Sequence, residues 1–302
     1  MLAPITLHAA GPEVARLVLG AWRIVDAGLD AAAIRNLVAA AVELGITTVD
    51  HADIYGDYQV ETRFGQALRD APDLKRRLQI ITKCDIKLVS AGRPAHRLKH
   101  YDTSRAHLTA SIDASLQALG VERIDLLLLH RPDPLMDAGE TADALDTLIA
   151  AGKVAHVGVS NFGPAQFELL ASRLRAPLVT NQIELSLLHT APFVDGTLDD
   201  CQRRRIAPMA WSPLGGGRLF RHDDPVAGRV RGALEAVRAE IGAGSIEQVA
   251  YAWLLRHPAR IVPVTGTTRI ERLRDAAAAV RLQLDRQQWF ALWEAANGQP
   301  VP

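Results

Sequence analysis

Apolar residues recur along the chain in two textures. Short bursts rich in Ile, Val and Leu alternate with longer segments whose apolar residues fall at helical spacing. The bursts Leu17–Ala21, Thr47–Asp50, Ile80–Lys83, Asp125–His130, Val154–Val159, Leu178–Gln182, Ile206–Trp211 and Ile261–Val264 predict strands covered on both faces. Between them, Ala31–Leu44 carries Ile34, Leu37, Val38, Ala41 and Val42 on one helical face, with Asp30 as N-cap. Ser245 with Gln248 predicts a capping box on a helix running through Leu255, short of Pro258, and Asp285 with Gln288 predicts a second. Strands alternating with helices predict an α/β protein with a parallel sheet. Eight such strands close a (β/α)8 TIM barrel, and no GxGxxG follows the first, so the barrel is preferred to a doubly wound open sheet.

Residues 1–302 contain no low-complexity linker and read as a single barrel domain. Two stretches break the rhythm. Ile86–Tyr101, with Arg93, His96, Arg97, Lys99 and His100, follows the third strand, and Arg218–Val230 follows the seventh. In a barrel both lie at the C-terminal rim, as site-forming loops or as surface insertions. Lys+Arg and Asp+Glu are each 34, so no basic excess supports a nucleic-acid or membrane partner. A chain that is 48% hydrophobic and 23% charged is globular rather than disordered. Its two cysteines, Cys84 and Cys201, exclude a disulfide framework and a four-cysteine zinc site, and Cys84 reads as a packing residue. The N-terminus lacks a basic segment leading into a long apolar one, and the run at Leu126–Leu129 falls far short of the roughly 20 residues that span a bilayer. A cytoplasmic protein is expected, with its oligomeric state open.

Polar groups at the C-terminal ends of barrel strands are the ones placed to do chemistry. Here they are Asp50, Lys83, His130, Ser160-Asn161, Asn181-Gln182 and Trp211-Ser212. Singly, each reads as a structural hydrogen bond, a buried ion pair or a satisfied core histidine; six consecutive strand ends converging on one mouth read as a site. Tyr55 and Lys83 supply its logic. A phenol is a poor acid at neutral pH, a neighbouring ammonium lowers its pKa, and Asp50 would keep that ammonium charged. Such a trio is a general acid for an oxyanion, with His130 orienting a carbonyl. An alternative is a metal-dependent hydrolase built from His51, Asp53 and His130, which leaves Lys83, Ser160-Asn161 and Gln182 without a role. A lyase using Lys83 as a Schiff base is a further option, disfavoured by Asp50 and Tyr55.

Asp50-x-Ala52-x-x-Tyr55-Gly56, Lys83 after an apolar strand, Ile124-Asp-Leu-Leu-Leu-Leu-His130 and Gly158-Val-Ser-Asn161-Phe together resemble the aldo-keto reductase superfamily, from Gly20 to about Asp275. Within it, the stretches 51–56, 130–136 and 211–220 resemble the bacterial YdhF-like oxidoreductases. The resemblance implies a nicotinamide cofactor across the barrel mouth, a small-molecule carbonyl substrate and a catalytic tetrad of Asp50, Tyr55, Lys83 and His130. It implies that Ser160, Asn161 and Gln182 bind the carboxamide and that Trp211 stacks on the nicotinamide. Backbone at Ser212, Pro213, Leu214, Gly215, Gly217 and Arg218 would approach the pyrophosphate, and Gly20, Ala21, Trp22 and Asp50 would border the cofactor. Gly266, Thr267, Thr268, Arg269, Arg272 and Asp275 stand where relatives hold the adenosine and its 2′-phosphate. Thr268 replaces a frequent Arg and Ala276 a frequent Asn, so NADP(H) is expected with NAD(H) as the alternative. Trp22, His51, Tyr55 and His130 would meet the substrate, and Trp22, Tyr58 and Phe162 hint at an apolar or aromatic one. A nucleotide-sensing protein with little turnover is the remaining alternative on this fold.

Overall fold

The computed structural model describes residues 2–302. The chain opens with a short antiparallel hairpin, β1 (Ile5–Thr6) and β2 (Glu13–Val14), whose Leu7 and Val14 are buried at the base of the barrel core. The first three barrel strands follow: β3 (Val18–Gly20), β4 (Thr48–Asp50) and β5 (Gln79–Cys84). Next, β6 (Ile86–Lys87) and β7 (His100–Tyr101) pair antiparallel, so the ends of the expected Ile86–Tyr101 loop are tied to each other. The barrel resumes with β8 (Ile124–Leu129), β9 (Val154–Ser160), β10 (Leu178–Glu184), β11 (Met209–Trp211) and β12 (Val262–Thr265). These eight strands pair in parallel and close the ring between β9 and β10. All eight coincide with the strands expected from the apolar bursts; β11 starts late, at Met209, just after Pro208, which has no N–H to give a ladder.

Alternation along each strand sorts the chain into layers. Val18, Ile81, Leu126, Leu128, Met209, Val262 and Val264 point inward and fill the barrel. Their neighbours Leu19, Val49, Ile80, Leu127, Leu129 and Val157 point outward beneath the helices. A separate outer cluster, with Ala210, Leu234, Trp253 and Leu292, lies under the last helices.

The helix Ala31–Glu43 buries the expected Ile34, Leu37, Val38, Ala41 and Val42, and Asp30 caps it through Ala33 N–H. Asp285 and Gln288 form the expected reciprocal capping box. At Ser245 only half of the expected box forms. Ser245 accepts from Gln248 N–H, but the Gln248 side chain accepts from Gly244 and donates to Asp275 instead. The stretch Arg218–Val230 is not a loop throughout: Asp224 caps, and Pro225 opens, a helix running to Ile241. Among the described residues, no helix is long and apolar enough to cross a membrane.

Candidate active site

The alternation that packs the barrel also delivers the polar strand ends to one mouth. Residue 50 shares the inward face with Thr48, residue 83 with Ile81, and residue 130 with Leu126 and Leu128. There the Lys83 ammonium donates to three oxygens: Asp50 Oδ2 at 2.7 Å, His51 O at 2.8 Å and Tyr55 Oη at 2.9 Å. An ammonium has three donors, and all three are used. Asp50 Oδ1 accepts from Gln182 Nε2 at 2.8 Å, so the carboxylate ties β4 to β10 across the barrel interior. The Lys83 and Asp50 side chains are 1% and 3% exposed, an ion pair withdrawn from water. Burial works against the Lys83 charge, but Asp50 and Tyr55 outweigh it and hold its pKa above the ordinary lysine value.

Tyr55 reaches this lysine from a turn with unusual backbone. Gly56, Asp57 and Tyr58 all have positive φ. At Gly56 (φ +57°) a Cβ would come within 2.8 Å of Val25, so both conformation and space select glycine. The Tyr55 ring also meets the edge of His130, with centroids 6.0 Å apart. Burial pushes the phenol up and Lys83 pulls it down; burial prevails, so its pKa lies above 10 rather than below it, contrary to the sequence expectation. His130 is driven well below the ordinary histidine pKa by burial, then by Lys83 and Arg131, and is neutral at physiological pH. Its Nδ1 is buried without a protein partner.

A polar chain continues along the mouth. Ser160 Oγ donates to Gln182 O at 2.8 Å, Asn161 Nδ2 donates to Ser160 Oγ at 2.8 Å, and Trp211 Nε1 donates to Asn161 Oδ1 at 3.0 Å. Asn161 turns the corner at φ +60°, a region Asn tolerates. Gln182 joins this group through an irregularity in β10. From Leu178 to Asn181 that strand advances three residues while its partner β9 advances two, from Val157 to Val159. The extra residue switches the inward position from Val179 to Gln182, and Asn181 turns away to donate to Phe162 O.

These groups border a cavity of about 280 Å³ at the C-terminal mouth. Of the residues singled out from sequence, Gly20, Trp22, Asp50, Tyr55, His130, Ser160, Asn161, Gln182, Trp211, Ser212, Pro213, Leu214, Gly217, Gly266, Thr267 and Arg272 line it. Lys83 lies behind Asp50 and Tyr55. Ala21 is buried, its N–H given to Asp50 O. Gly215 packs beside Leu188, Arg218 is paired with Asp224, and Asp275 is taken up by Gln248; with Thr268 and Arg269, these stand off the cavity wall.

His51 does not face substrate space. It follows inward-facing Asp50 and therefore points outward, fully buried, its ring 4.4 Å from Phe64. Asp53 likewise turns outward and accepts from Ser111 Oγ. The His51/Asp53/His130 set is thus split between the two faces of the barrel wall, and among the described residues no group of three His, Cys, Asp or Glu is placed to hold a metal ion. Tyr58 lines a separate polar cleft and Phe162 is buried, which removes two of the three residues that hinted at an apolar substrate.

Gly216, within the glycine run expected at the pyrophosphate, also lines the cavity, whereas Arg23, Arg131, Phe220, Glu247 and Tyr251 line it without a role expected from the sequence. Arg23 and Arg131 each directly follow a residue that was singled out, and that adjacency was the available signal. Arg23 donates to Gly216 O at 2.8 Å and bridges the loops after β3 and β11. The adjoining wall suits an anionic dinucleotide. Arg23, Thr267 and Arg272 line it, and at Gly217 (φ +98°) the space a side chain would fill is open for close approach of a ligand to backbone.

Residues 16–297 match the sequence profile of the Aldo/keto reductase family. "Oxidoreductase YdhF" of Escherichia coli (strain K12) is 49% identical over 302 residues, covering 100% of both chains. A "6-dehydroglucose reductase" of Agrobacterium fabrum is 49% identical over 96% of each chain. Among solved structures, the thermostable aldo-keto reductase Tm1743, crystallised with the inhibitor epalrestat, superposes with a TM-score of 0.80 at 26% identity, covering 97% of this chain and 100% of that one. Closed barrel, converging mouth and full-length similarity agree: this chain belongs to the aldo/keto reductase family and is an NAD(P)H-dependent oxidoreductase.

Proposed function

We propose that the protein reduces an aldehyde or ketone to an alcohol with NADP(H) as its preferred cofactor and Tyr55 as the proton donor. The observation that carries this reading is the position of Lys83 Nζ, which holds Asp50 and Tyr55 Oη at once beside the cavity. Bound NADPH supplies hydride to the carbonyl carbon; the protein's residues do the rest. Neutral His130 donates to the carbonyl oxygen and fixes its orientation. As negative charge grows on that oxygen, Tyr55 Oη delivers a proton to it. The phenol's raised pKa suits this task, because the group stays protonated at working pH yet remains far more acidic than an alcohol. Lys83 stabilises the resulting phenolate, and Asp50 keeps Lys83 charged and in place. One hydride and one proton complete the two-electron reduction.

Ser160, Asn161 and Gln182 would hydrogen-bond the nicotinamide carboxamide, with Trp211 against the ring. Arg272 and Thr267 would take the 2′-phosphate, which favours NADP(H) over NAD(H). The relatives named 6-dehydroglucose reductase support a sugar-derived aldehyde as the substrate class. To test this, NADPH and NADH are titrated while tryptophan fluorescence is followed, and aldehydes are then added while reduced nicotinamide is monitored. Tyr55→Phe should keep cofactor quenching and lose about 10²–10⁴-fold in kcat. Near-normal turnover by that variant would remove Tyr55 as the acid.

A further inference from the structure

We infer that Arg131 reads the substrate: it selects carbonyl compounds that carry a pair of oxygen acceptors, a carboxylate or a vicinal diol, away from the reacting carbon. The inference rests on the proposed reductase site and names the substrate class it serves. Arg131 lines the cavity beside His130 and Tyr55, two residues beyond the end of β8. Its backbone is fixed, because its N–H donates to Asp85 Oδ2 at 3.1 Å and Asp85 is fully buried at the end of β5. The backbone N–H of His130 just before it donates to Cys84 O at 3.0 Å. The residue is thus pinned at its base while its guanidinium is held by no carboxylate among the described residues; the guanidinium carbon lies 5.6 Å from the Trp211 ring centroid.

The charges around it leave this cation unmatched. Two carboxylates line the cavity, Asp50 and Glu247. Asp50 is consumed by Lys83 and Gln182. Glu247 and Arg272 both bear on Tyr251, which places Glu247 with the other basic wall of the cavity. Arg131 acts on both Tyr55 and His130, so its charge is felt at the reacting centre. A half-buried guanidinium with five donors and no protein acceptor binds paired oxygens well, and apolar substrates leave it unsatisfied.

The test uses two matched pairs of aldehydes with NADPH. One pair is 4-carboxybenzaldehyde and 4-methylbenzaldehyde; the other is glyceraldehyde and propanal. In Arg131→Met the kcat/KM ratio of the oxygen-bearing to the plain member should fall roughly tenfold to a hundredfold in at least one pair, mainly through KM. A fall in the first pair alone identifies a carboxylate as the group read, and a fall in the second a diol. Arg131→Lys should restore part of the carboxylate ratio, because it keeps the charge and loses the fork. Ratios unchanged in both pairs, including the case where both members of a pair lose rate equally, would make Arg131 a packing partner of Trp211 and overturn the inference. Wild-type protein that binds NADPH but reduces no member of either pair would instead overturn the reductase reading beneath it.

Discussion

Replacing Lys83 by Met tests the centre of the site through stability as well as rate. In the native protein the ammonium satisfies Asp50 Oδ2, His51 O and Tyr55 Oη, and both charged side chains are almost wholly shielded from water. Methionine fills a similar volume but leaves Asp50 Oδ2 facing no donor, with only Gln182 still holding Oδ1. Breaking a buried pair from one side costs about 3–5 kcal/mol, a large part of the roughly 5–15 kcal/mol that holds a folded domain together. The variant should therefore unfold at markedly lower urea concentration, with its m-value unchanged. Asp50→Asn combined with Lys83→Met removes the orphaned charge while leaving an acceptor for Gln182, and should recover about 2 kcal/mol or more of that loss. Both variants should be poor reductases, since neither has an ammonium beside Tyr55. A cost below about 1 kcal/mol for Lys83→Met, or a double variant less stable than the single one, would refute a buried ion pair that depends on both partners.

Three further outcomes follow from the same geometry. Arg272→Ala should weaken NADPH binding about tenfold and leave NADH binding nearly unchanged, as read by fluorescence titration; equal losses would exclude a 2′-phosphate role. The pH profile of carbonyl reduction should be level from about pH 6.5 to 9, because His130 is already neutral and Tyr55 still protonated across that range, and a downturn belongs only above pH 10. An inflection near pH 7 in kcat would show another group in control. Asp53 is pushed up to about 7 by burial, so its native form binds a proton that the unfolded chain has already lost between about pH 4 and 7. This group therefore lowers stability as pH rises through that window. Asp53→Asn should gain stability relative to wild type by about 1–3 kcal/mol more at pH 7.5 than at pH 5, and parallel pH dependences in the two proteins would contradict it.

The barrel was legible because each of its strands is a short apolar run, and the site because polar residues end those runs. Helix starts were legible where an Asp stands at the N-cap, as at Asp30 and Asp285. The stretch Arg218–Val230 read as a break in the rhythm, although its Asp224 and Pro225 start a helix. His51 was misjudged although parity alone could have corrected it: with Asp50 inward, its neighbour must face out. Gln182 is the reverse case, because no local pattern announces the added residue that turns it inward. The sequence identifies the partners of Tyr55, but not how much water the folded wall removes from its phenol, and that desolvation sets the direction of its pKa. Beyond its place next to His130, nothing in the sequence marks Arg131, because its unmatched charge arises only from the folded engagement of the acids around it.

The irregular β10 has a consequence for how this protein can change. Deleting one residue between Leu178 and Asn181 would give an unbroken ladder with β9, and by local criteria a better strand. The shortened strand would keep Leu178 and Asn181 outward and Gln182 inward opposite Ser160, so the link between opposite walls that steadies the aspartate would survive. Loss of the added residue is therefore a length change that spares the contact on the far side of the ring. In a library of single-codon deletions through the strand, loss of the added residue should keep both soluble protein and turnover.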